Sequence, residues 1–416
     1  MGALSHLKVL DLSRVLAGPW ATQLLADLGA EVIKIERPGT GDDTRAWGPP
    51  WLKDEAGEAT SESAYYLSTN RNKQSVAIDM AKPEGQRLLR ELAAQVDVLV
   101  ENFKVGGLKQ YGLDYESLRV INPRLVYCSI TGFGQDGPYA ARAGYDFLIQ
   151  GMGGLMSVTG RPDGEEGAGP LKVGVALTDI LTGLYAANAI QAALLSRERS
   201  GQGQHIDLAL LDVQIACLAN QSMNYLVGGQ PPKRMGNAHP NIVPYQDVPT
   251  RDGYMILAIG NDNQFGKFCE TIGHPEWAGD ERFATNAARV ANRALLIPMI
   301  GEVTRTRDME EWITLLEAQA VPCGPINNLA QVFADPQVQH RGTRVEMDHP
   351  LAGKVPQVAN PIHLSATPVE YRNAPPLLGA DTHSVLSGLL GLGEGSLTEL
   401  AESGVIAAVR KQEKST

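Results

Sequence analysis

One carboxylate, Asp179, stands at the head of a stretch with almost no other charge, GVALTDILTGLYAANAIQAALLSR, residues 174–197. Apolar residues recur at helical spacing after it, so the segment predicts a buried helix that begins near Thr178 and Asp179. A carboxylate at that place can cap the helix by accepting a backbone N–H. It is also held beside the positive end of the helix dipole, which favours its ionised form. An ionised, oriented carboxylate can act as a nucleophile, so capping and covalent catalysis both stay open.

Basic residues near the ends of the early predicted strands suggest a second kind of site. They are Arg37 in AEVIKIER, Arg45 in GTGDDTR, and Arg71 and Lys73 in TNRNK. Ligands of open α/β sheets bind at strand ends, and arginine and lysine recognise phosphate. Each residue alone could equally be solvated surface. As a group they indicate a ligand that carries phosphate.

The segment GFGQDG, residues 132–137, has the GxGxxG spacing of a dinucleotide-binding turn. In such a turn the third glycine lies in a starting helix, and an acidic residue about 20 positions later binds the ribose. Here Pro138 follows directly, and the stretch LMSVTGR at that distance has no acid. We therefore interpret GFGQDG as a glycine turn. A nicotinamide-dependent oxidoreductase remains an alternative.

The elements that must position these residues alternate between strand and helix patterns over the first 130 residues. Alternation of this kind predicts parallel strands with helices on both faces, an α/β doubly wound, Rossmann-like large domain. After about residue 225 a Gly- and Pro-rich stretch breaks the pattern, and a strand followed by helices predicts a small α+β domain. The predicted organisation is large domain 1–225, small domain 226–330 and a C-terminal part, 331–416, that returns to the large domain.

Composition excludes several classes of protein. The 416 residues carry a formal net charge of −11 and no basic cluster, which argues against a nucleic-acid partner. Four scattered cysteines form no metal or redox motif and no disulfide framework, so we expect no metal and a reducing cytoplasm. The run from Ile180 to Ser196 is too short and too polar to span a membrane, and the N-terminus shows no targeting pattern.

Several segments in a fixed order resemble the family III CoA-transferases. They cover nearly the whole chain, down to LGADTHSVLSGLLG. The earlier ones are LDLSRVLAGPWATQLLADLGAEVIKIERPGTGDDTR, NRNKQSVAIDM, VLVENFKVGGL, GYDFLIQGMGGLMSVTG and ALTDILTGLYAANAIQAALLSRERSGQGQHIDLALLD. The resemblance implies a homodimer whose two subunits are interlocked as linked rings. It implies acyl-CoA and a free carboxylic acid as substrates, with no tightly bound cofactor.

The resemblance also implies that Asp179 is the nucleophile. Its carboxylate would attack the thioester of a donor acyl-CoA to form a mixed anhydride, and the released CoA thiolate would then form an aspartyl-CoA thioester that the acceptor acid attacks. Tyr145 and Asp146 would support this chemistry. Each step passes through an oxyanion that needs hydrogen-bond donors. The loop 258–265, with Gly260 and Asn261, occupies the place of a glycine-rich loop in the family. Its departure from glycine argues against formyl or oxalyl substrates.

Contacts with CoA are carried over from the family position by position. At two further positions this chain departs from the pattern: Gln110 stands where an arginine is expected and Ala143 where a lysine is expected, with Arg142 adjacent as a substitute. The residues expected to contact CoA are Val15, Arg37, Lys73, Asn102, Phe103 and Arg142.

Two features bear on which member of the superfamily this is. Racemases of the same fold use a histidine where this chain has Tyr145, within GYD, so transfer is favoured over racemisation. The segment RMGNAHPNIVPYQDVPTRDGYMILAIGNDNQF resembles the branch that moves CoA between succinyl-CoA and dicarboxylates such as glutarate, hydroxymethylglutarate or itaconate. Formyl- or carnitine-type transfer and non-catalytic CoA binding remain alternatives. Candidates for binding the second carboxylate are Arg45, Arg234 and His239.

Overall fold

The computed structural model describes residues 2–407, which form two compact units. Unit 1 comprises the described parts of residues 1–155, 173–229 and 339–416, and unit 2 comprises residues 156–172 and 230–338. Residue 1 and residues 408–416, the two ends of the predicted large domain, lie outside the described residues. The inclusion of residues 156–172 in unit 2 differs from the predicted boundaries, which placed this segment in the large domain.

Strands and helices alternate through unit 1, as the sequence pattern predicts. The strands in chain order are β1 (Lys8–Asp11), β2 (Glu31–Glu36), β3 (Trp51–Lys53), β4 (Ala59–Ser63), β5 (Lys73–Ile78), β6 (Val98–Glu101), β7 (Val126–Thr131), β8 (His205–Ala209), β9 (Tyr245–Pro249), β10 (Tyr254–Ala258), β11 (Cys323–Pro325), β12 (Arg344–His349), β13 (Gly353–Val358) and β14 (Ile406–Ala407). The helices are α1 (Ala17–Asp27), α2 (Ala64–Leu67), α3 (Pro83–Ala93), α4 (Tyr115–Ile121), α5 (Asp146–Met152), α6 (Leu155–Val158), α7 (Leu177–Ser200), α8 (Leu210–Cys217), α9 (Asn220–Gly228), α10 (Asp262–Thr271), α11 (Glu276–Gly279), α12 (Asn286–Ala291), α13 (Arg293–Thr304), α14 (Met309–Glu317), α15 (Leu329–Ala334), α16 (Pro336–His340), α17 (Thr382–Leu390) and α18 (Glu394–Glu402). Short 3-10 turns cover Asp43–Ala46 and Lys109–Tyr111.

A seven-stranded sheet forms the centre of unit 1, in the order β14-β5-β2-β1-β6-β7-β8. Neighbouring strands run parallel except at one edge, where β14 pairs antiparallel with β5. This confirms the predicted α/β architecture and the parallel arrangement of most strands, whereas the antiparallel edge strand was not predicted. The loops that follow β1, β6 and β7 leave the same edge of the sheet, because parallel strands end on the same side.

Both faces of the sheet are buried, because side chains alternate between two cores along each strand. Leu10 and Leu99 point into the core that contains α3, α4, α17 and α18. Val9 and Val98, their neighbours in sequence, point into the core that contains α1 and α7. Consecutive apolar residues of a strand are therefore buried in one core or the other. This explains why the strands appear in the sequence as continuous hydrophobic runs.

Unit 2 has its own antiparallel sheet, in the order β11-β10-β9, and its own core, which includes Phe265, Phe268 and Trp312. A capping box begins α14, with the Asp308 and Glu311 side chains each accepting the other residue's backbone N–H. Among residues 2–407, no helix combines the length and the hydropathy that crossing a bilayer demands.

Candidate active site

Asp179 is the third residue of α7 and does not cap it. The helix begins at Leu177, and its N-cap residue, Ala176, offers no side-chain acceptor. Asp146 supplies the cap instead: its Oδ1 accepts the N–H of Thr178 at 2.9 Å and the N–H of Asp179 at 3.4 Å. Within the described part of the chain, the Asp179 carboxylate accepts no hydrogen bond. The capping interpretation of Asp179 is therefore wrong, and its carboxylate is left available for chemistry.

Asp179 is also harder to ionise than the helix position suggests. Burial, and then the negative charge of Asp146, raise its pKa from 3.8 to about 7. The expectation that the helix dipole keeps this carboxyl ionised is wrong here, because desolvation and a second carboxylate outweigh the dipole. Neutral and ionised forms of the Asp179 carboxyl are therefore both present near neutral pH. A carboxylate without stabilising partners is a better nucleophile than a solvated one.

The phenol of Tyr65, which was not predicted from the sequence, lies near these two acids. Burial, and then the charges of Asp179 and Asp146, raise the pKa of Tyr65 to about 12. Its ring meets the indole of Trp47 edge-on at 5.2 Å. Tyr65 therefore stays protonated and can donate a hydrogen bond in the neighbourhood of Asp179.

Asp179 lies in the wall of a cavity of about 170 Å³ in unit 1. The loops after β1, β6 and β7 supply most of the other walls, so the cavity lies at the carboxyl ends of parallel strands, the usual ligand position in such folds. Of the predicted site residues, the cavity brings together Val15, Asn102, Phe103, Arg142, Tyr145 and Asp179.

Hydrogen bonds hold the backbone of the loop after β1 at several consecutive polar groups. The Ser13 carbonyl accepts from Lys34 Nζ at 2.9 Å, and the Val15 N–H donates to the Asp42 carboxylate at 3.2 Å. Arg14 lies between Ser13 and Val15 in the chain. Its backbone N–H donates to the Asn102 side chain at 2.9 Å, and its backbone carbonyl accepts from the same side chain at 2.7 Å. Val15 adopts a positive φ of 72°, which few non-glycine residues do. The surrounding bonds hold it there, so the loop is preorganised.

A buried ion pair holds this loop in position. Lys34 and Asp42 form a fully buried ion pair at 2.8 Å. Burial opposes both charges, yet Asp42 raises the pKa of Lys34, and Lys34 lowers the pKa of Asp42 to about 2. Both groups therefore stay ionised, and removing either would leave the other charged and unpaired.

A second cavity, of about 390 Å³, lies next to the first. Arg14, Phe103 and Lys104 border both cavities, whereas Arg37 borders only the second and Asp179 only the first. Arg14 and Lys104 were not predicted. Only their positions in the sequence could have indicated them, because Arg14 closely follows β1 and Lys104 directly follows Asn102 and Phe103.

Two predicted ligand contacts are structural instead. The Lys73 side chain is fully buried, and its Nζ donates to Asp11, the Pro19 carbonyl and Asn70 at 3.0 to 3.1 Å. Its three hydrogens are thus used, which contradicts a contact with CoA phosphate. Arg45 is buried against Glu36 and Glu62, with its guanidinium 3.7 Å above the Tyr66 ring, so it does not offer a free cation to a carboxylate substrate. Sequence shows residue type but not this burial.

The GFGQDG turn serves packing. A Cβ on Gly132 would lie 2.6 Å from the Cα of Gly144, and a Cβ on Gly144 would lie 2.3 Å from the Cα of Gly132. Neither position accepts a side chain, because the two backbones touch. This contact fixes the segment 140–145 against the end of β7, and that segment forms one wall of the Asp179 cavity.

The remaining predicted residues lie in unit 2. The Asn261 side chain caps α10 by accepting the Gln264 N–H at 2.9 Å, and the Gly260 N–H donates to the Gln264 side chain at 2.8 Å. Arg234 pairs with Asp163 and also donates to the Arg161 carbonyl. The His239 ring accepts the Asn241 N–H at 3.1 Å. In unit 2, therefore, the Gly260 N–H predicted as an oxyanion donor is already bonded within its own loop.

Comparison with known proteins assigns the family. The profile described as CoA-transferase family III matches residues 4–382. The chain is 55% identical over 386 residues to a succinate–glutarate CoA-transferase of Agrobacterium fabrum, covering 93% of this chain and 95% of that protein. It is 45% identical over 403 residues to the human succinyl-CoA:glutarate CoA-transferase, covering 97% and 90%. A crystal structure of a CAIB/BAIF family protein from Brucella suis superimposes with a TM-score of 0.81 at 53% identity, covering 93% and 99%. The chain belongs to CoA-transferase family III and is a CoA-transferase.

Proposed function

We propose that this enzyme moves CoA from succinyl-CoA to a free dicarboxylate, with glutarate as the first candidate acceptor, through covalent intermediates on Asp179. The relatives with 45 to 55% identity over nearly the whole chain are named for transfer between succinate and glutarate. The observation that carries the mechanism is the position of Asp179 in a cavity wall, oriented by Asp146 yet free of hydrogen bonds to its own carboxylate among residues 2–407.

The proposed reaction conserves the energy of the thioester. The Asp179 carboxylate attacks the succinyl carbonyl, a C–O bond forms, the C–S bond breaks, and CoA thiolate leaves. The thiolate then attacks the aspartyl carbonyl of the anhydride, which releases succinate and leaves an aspartyl-CoA thioester. The acceptor carboxylate attacks that thioester to form a new anhydride and expel the thiolate. Attack of the thiolate on the acceptor's acyl carbon gives the product thioester and frees Asp179.

The two adjoining cavities support a path for CoA. Arg37, at the far cavity, is an exposed cation suited to phosphate, and Asp179, at the near cavity, is suited to the thioester. Phe103 and Arg14 stand between them, with the Arg14 guanidinium 5.3 Å from the centre of the Phe103 ring. Pantetheine would pass along this pair. Acyl-CoA and the free acid are substrates in this scheme, and it needs no bound cofactor or metal.

The interlocked homodimer and the cytoplasmic location also belong to this proposal. Support for association comes from apolar side chains that unit 1 exposes on α7 and α9, among them Leu184, Tyr185, Leu226 and Val227. Such side chains would be removed from water if a second subunit packed on these helices. Sedimentation velocity should give a dimer, and a monomer would contradict the interlocked arrangement.

The decisive experiment is mass spectrometry of the enzyme after incubation with succinyl-CoA and hydroxylamine. An adduct or hydroxamate that maps to Asp179 supports the covalent route. Glutarate, itaconate and hydroxymethylglutarate are then offered as acceptors. If the enzyme exchanges the α-proton of an acyl-CoA but transfers no CoA, the racemase alternative replaces the transferase proposal. If no acyl-CoA modifies the protein, Asp179 has no covalent role.

A further inference from the structure

Arg142 is a cation in the wall of the Asp179 cavity that has no acidic partner among residues 2–407. Its guanidinium lies 4.5 Å from the centre of the Tyr139 ring and 5.1 Å from that of Phe133. Its other contact is a weak one, 3.8 Å to the sulfur of Met152. The two aromatic rings pack against the guanidinium and do not neutralise its charge. An arginine that is held in place but unpaired can accept an incoming anion.

The other cations of this cavity are placed differently. Arg14 pairs with Asp43 at 2.9 Å, so its charge is already balanced. Lys104 borders the Arg37 cavity as well, which places it along the path proposed for CoA. Arg142 borders the Asp179 cavity and not the Arg37 cavity. Of these cations, it alone is both unpaired in the described structure and confined to the acyl end.

We propose that Arg142 binds the distal carboxylate of the dicarboxylate acyl group whose other end reacts at Asp179. This rests on the proposed function and narrows it, since it explains why a diacid would be selected over a monoacid. A planar guanidinium can bind a carboxylate through two parallel hydrogen bonds. It would also repay the cost of moving that second charge out of water, a cost that the acids Asp146 and Asp179 increase.

The assignment replaces the earlier expectation that Arg142 contacts CoA, and the position of its side chain argues against a contact with the CoA phosphates. The pantetheine arm is about as long as a four-residue peptide and spans on the order of 14 Å when extended. A side chain in the wall of a cavity of about 170 Å³ that also holds the reacting carboxylate lies at the thioester end of that arm. The phosphates lie at its other end, where Arg37 stands.

The test compares Arg142→Gln and Arg142→Lys with Arg119→Gln. Arg119 is a matched control: it is an exposed arginine near a tyrosine ring, at 6.0 Å from Tyr115, but it borders neither cavity. Acceptors are glutarate and pentanoate, which share a five-carbon chain and differ in the distal carboxylate. Binding of free CoA is measured by calorimetry, and the thermal midpoint of each variant checks that it folds.

In Arg142→Gln, kcat/KM for glutarate should fall roughly ten- to a hundredfold, the value of one charged hydrogen-bonded contact. Activity or competitive inhibition with pentanoate should stay within about twofold, and so should the affinity for CoA. Arg142→Lys should recover part of the glutarate activity because it keeps the charge. Arg119→Gln should behave as wild type.

Two results would overturn the assignment. Weaker CoA binding with an unchanged preference for glutarate over pentanoate would show that Arg142 contacts CoA and not the distal carboxylate. An equal loss with both acids would mean that the residue only maintains the shape of the cavity. Failure of the proposed function has a different signature, because the wild-type enzyme itself would then transfer no CoA to glutarate.

Discussion

Asp146 accepts the backbone N–H of Asp179 at 3.4 Å and that of the preceding residue, Thr178, at 2.9 Å. One carboxylate thus fixes the position of the other and raises its pKa. Burial and the charge of Asp146 together raise the pKa of Asp179 to about 7, so the ionisation of Asp179 changes with pH in the neutral range.

The first prediction concerns this coupling. If the ionised carboxylate attacks the thioester, kcat/KM should rise with pH through about 7, the pKa of Asp179. Asp146→Asn keeps an oxygen that can accept the two N–H groups but removes the charge, so the rise should move to lower pH. Asp308→Asn, at another capped helix in unit 2, is the control. A profile that does not move in Asp146→Asn would show that the Asp146 charge does not tune Asp179.

The second prediction concerns how the ionisation of Asp179 makes the stability of the protein depend on pH. Its pKa in the folded protein, about 7, lies above the ordinary 3.8, so the folded state holds the proton more tightly than the unfolded state. The contribution of Asp179 to stability should therefore fall as pH rises from about 4 to 7. Asp179→Asn cannot ionise and should abolish transfer, keep CoA affinity, and gain thermal stability over wild type between pH 5 and 8. Equal midpoints at every pH would contradict the raised pKa.

The third prediction compares Lys73, a buried structural lysine, with Arg37, the arginine proposed to bind a CoA phosphate. Lys73→Met breaks a buried pair with Asp11 and should lower the free energy of unfolding by about 3–5 kcal/mol, while the folded fraction binds CoA as wild type does. Arg37→Gln changes an exposed side chain and should weaken CoA binding roughly tenfold without loss of stability. Chemical denaturation and calorimetry of both variants provide the comparison. Loss of CoA affinity in stable Lys73→Met would restore that residue to the binding site.

The fourth prediction concerns the contact between Gly132 and Gly144. A methyl group on Gly144 would lie 2.3 Å from the Gly132 backbone, so Gly144→Ala should cost about 1–3 kcal/mol or more and reduce transfer by displacing the segment that carries Arg142 and Tyr145. Gly388→Ala is the matched control, since a Cβ there meets nothing within 4 Å. It lies inside α17, where alanine should be neutral or stabilising. Wild-type activity in Gly144→Ala would mean that this wall of the cavity tolerates displacement.

Much of unit 1 could be predicted from sequence because buried parallel strands leave a strong pattern. Segments such as LKVLDL and AEVIKIE are apolar at nearly every position, and the helices between them have one apolar face. The two-residue strand β14 and the transfer of residues 156–172 to unit 2 left no such pattern. A short edge strand and a Gly-rich crossing segment have too few periodic residues to be recognised.

The site was harder to predict than the fold. The resemblance to the CoA-transferases identified Asp179, Asn102 and Phe103, and the structure places all three in the wall of one cavity. The resemblance failed for Lys73, whose partner Asp11 lies 62 residues earlier in the chain. One signal was available: Asp11 and Lys34 are charged residues inside apolar strands, and buried charges need partners of opposite sign. Nothing local revealed which partner each one takes.

The strand β14 places residues 406 and 407 at the edge of the same sheet that β1 begins. During synthesis, β5 therefore emerges from the ribosome long before the strand that covers its outer edge. At about 5 to 20 residues per second, the ribosome needs roughly 10 to 40 seconds to pass from residue 229 to residue 407. Residues 230–338, the larger part of unit 2, are made within that interval. The outer edge of β5, in the sheet whose strand ends form the Asp179 cavity, therefore stays unpaired until β14 has been made.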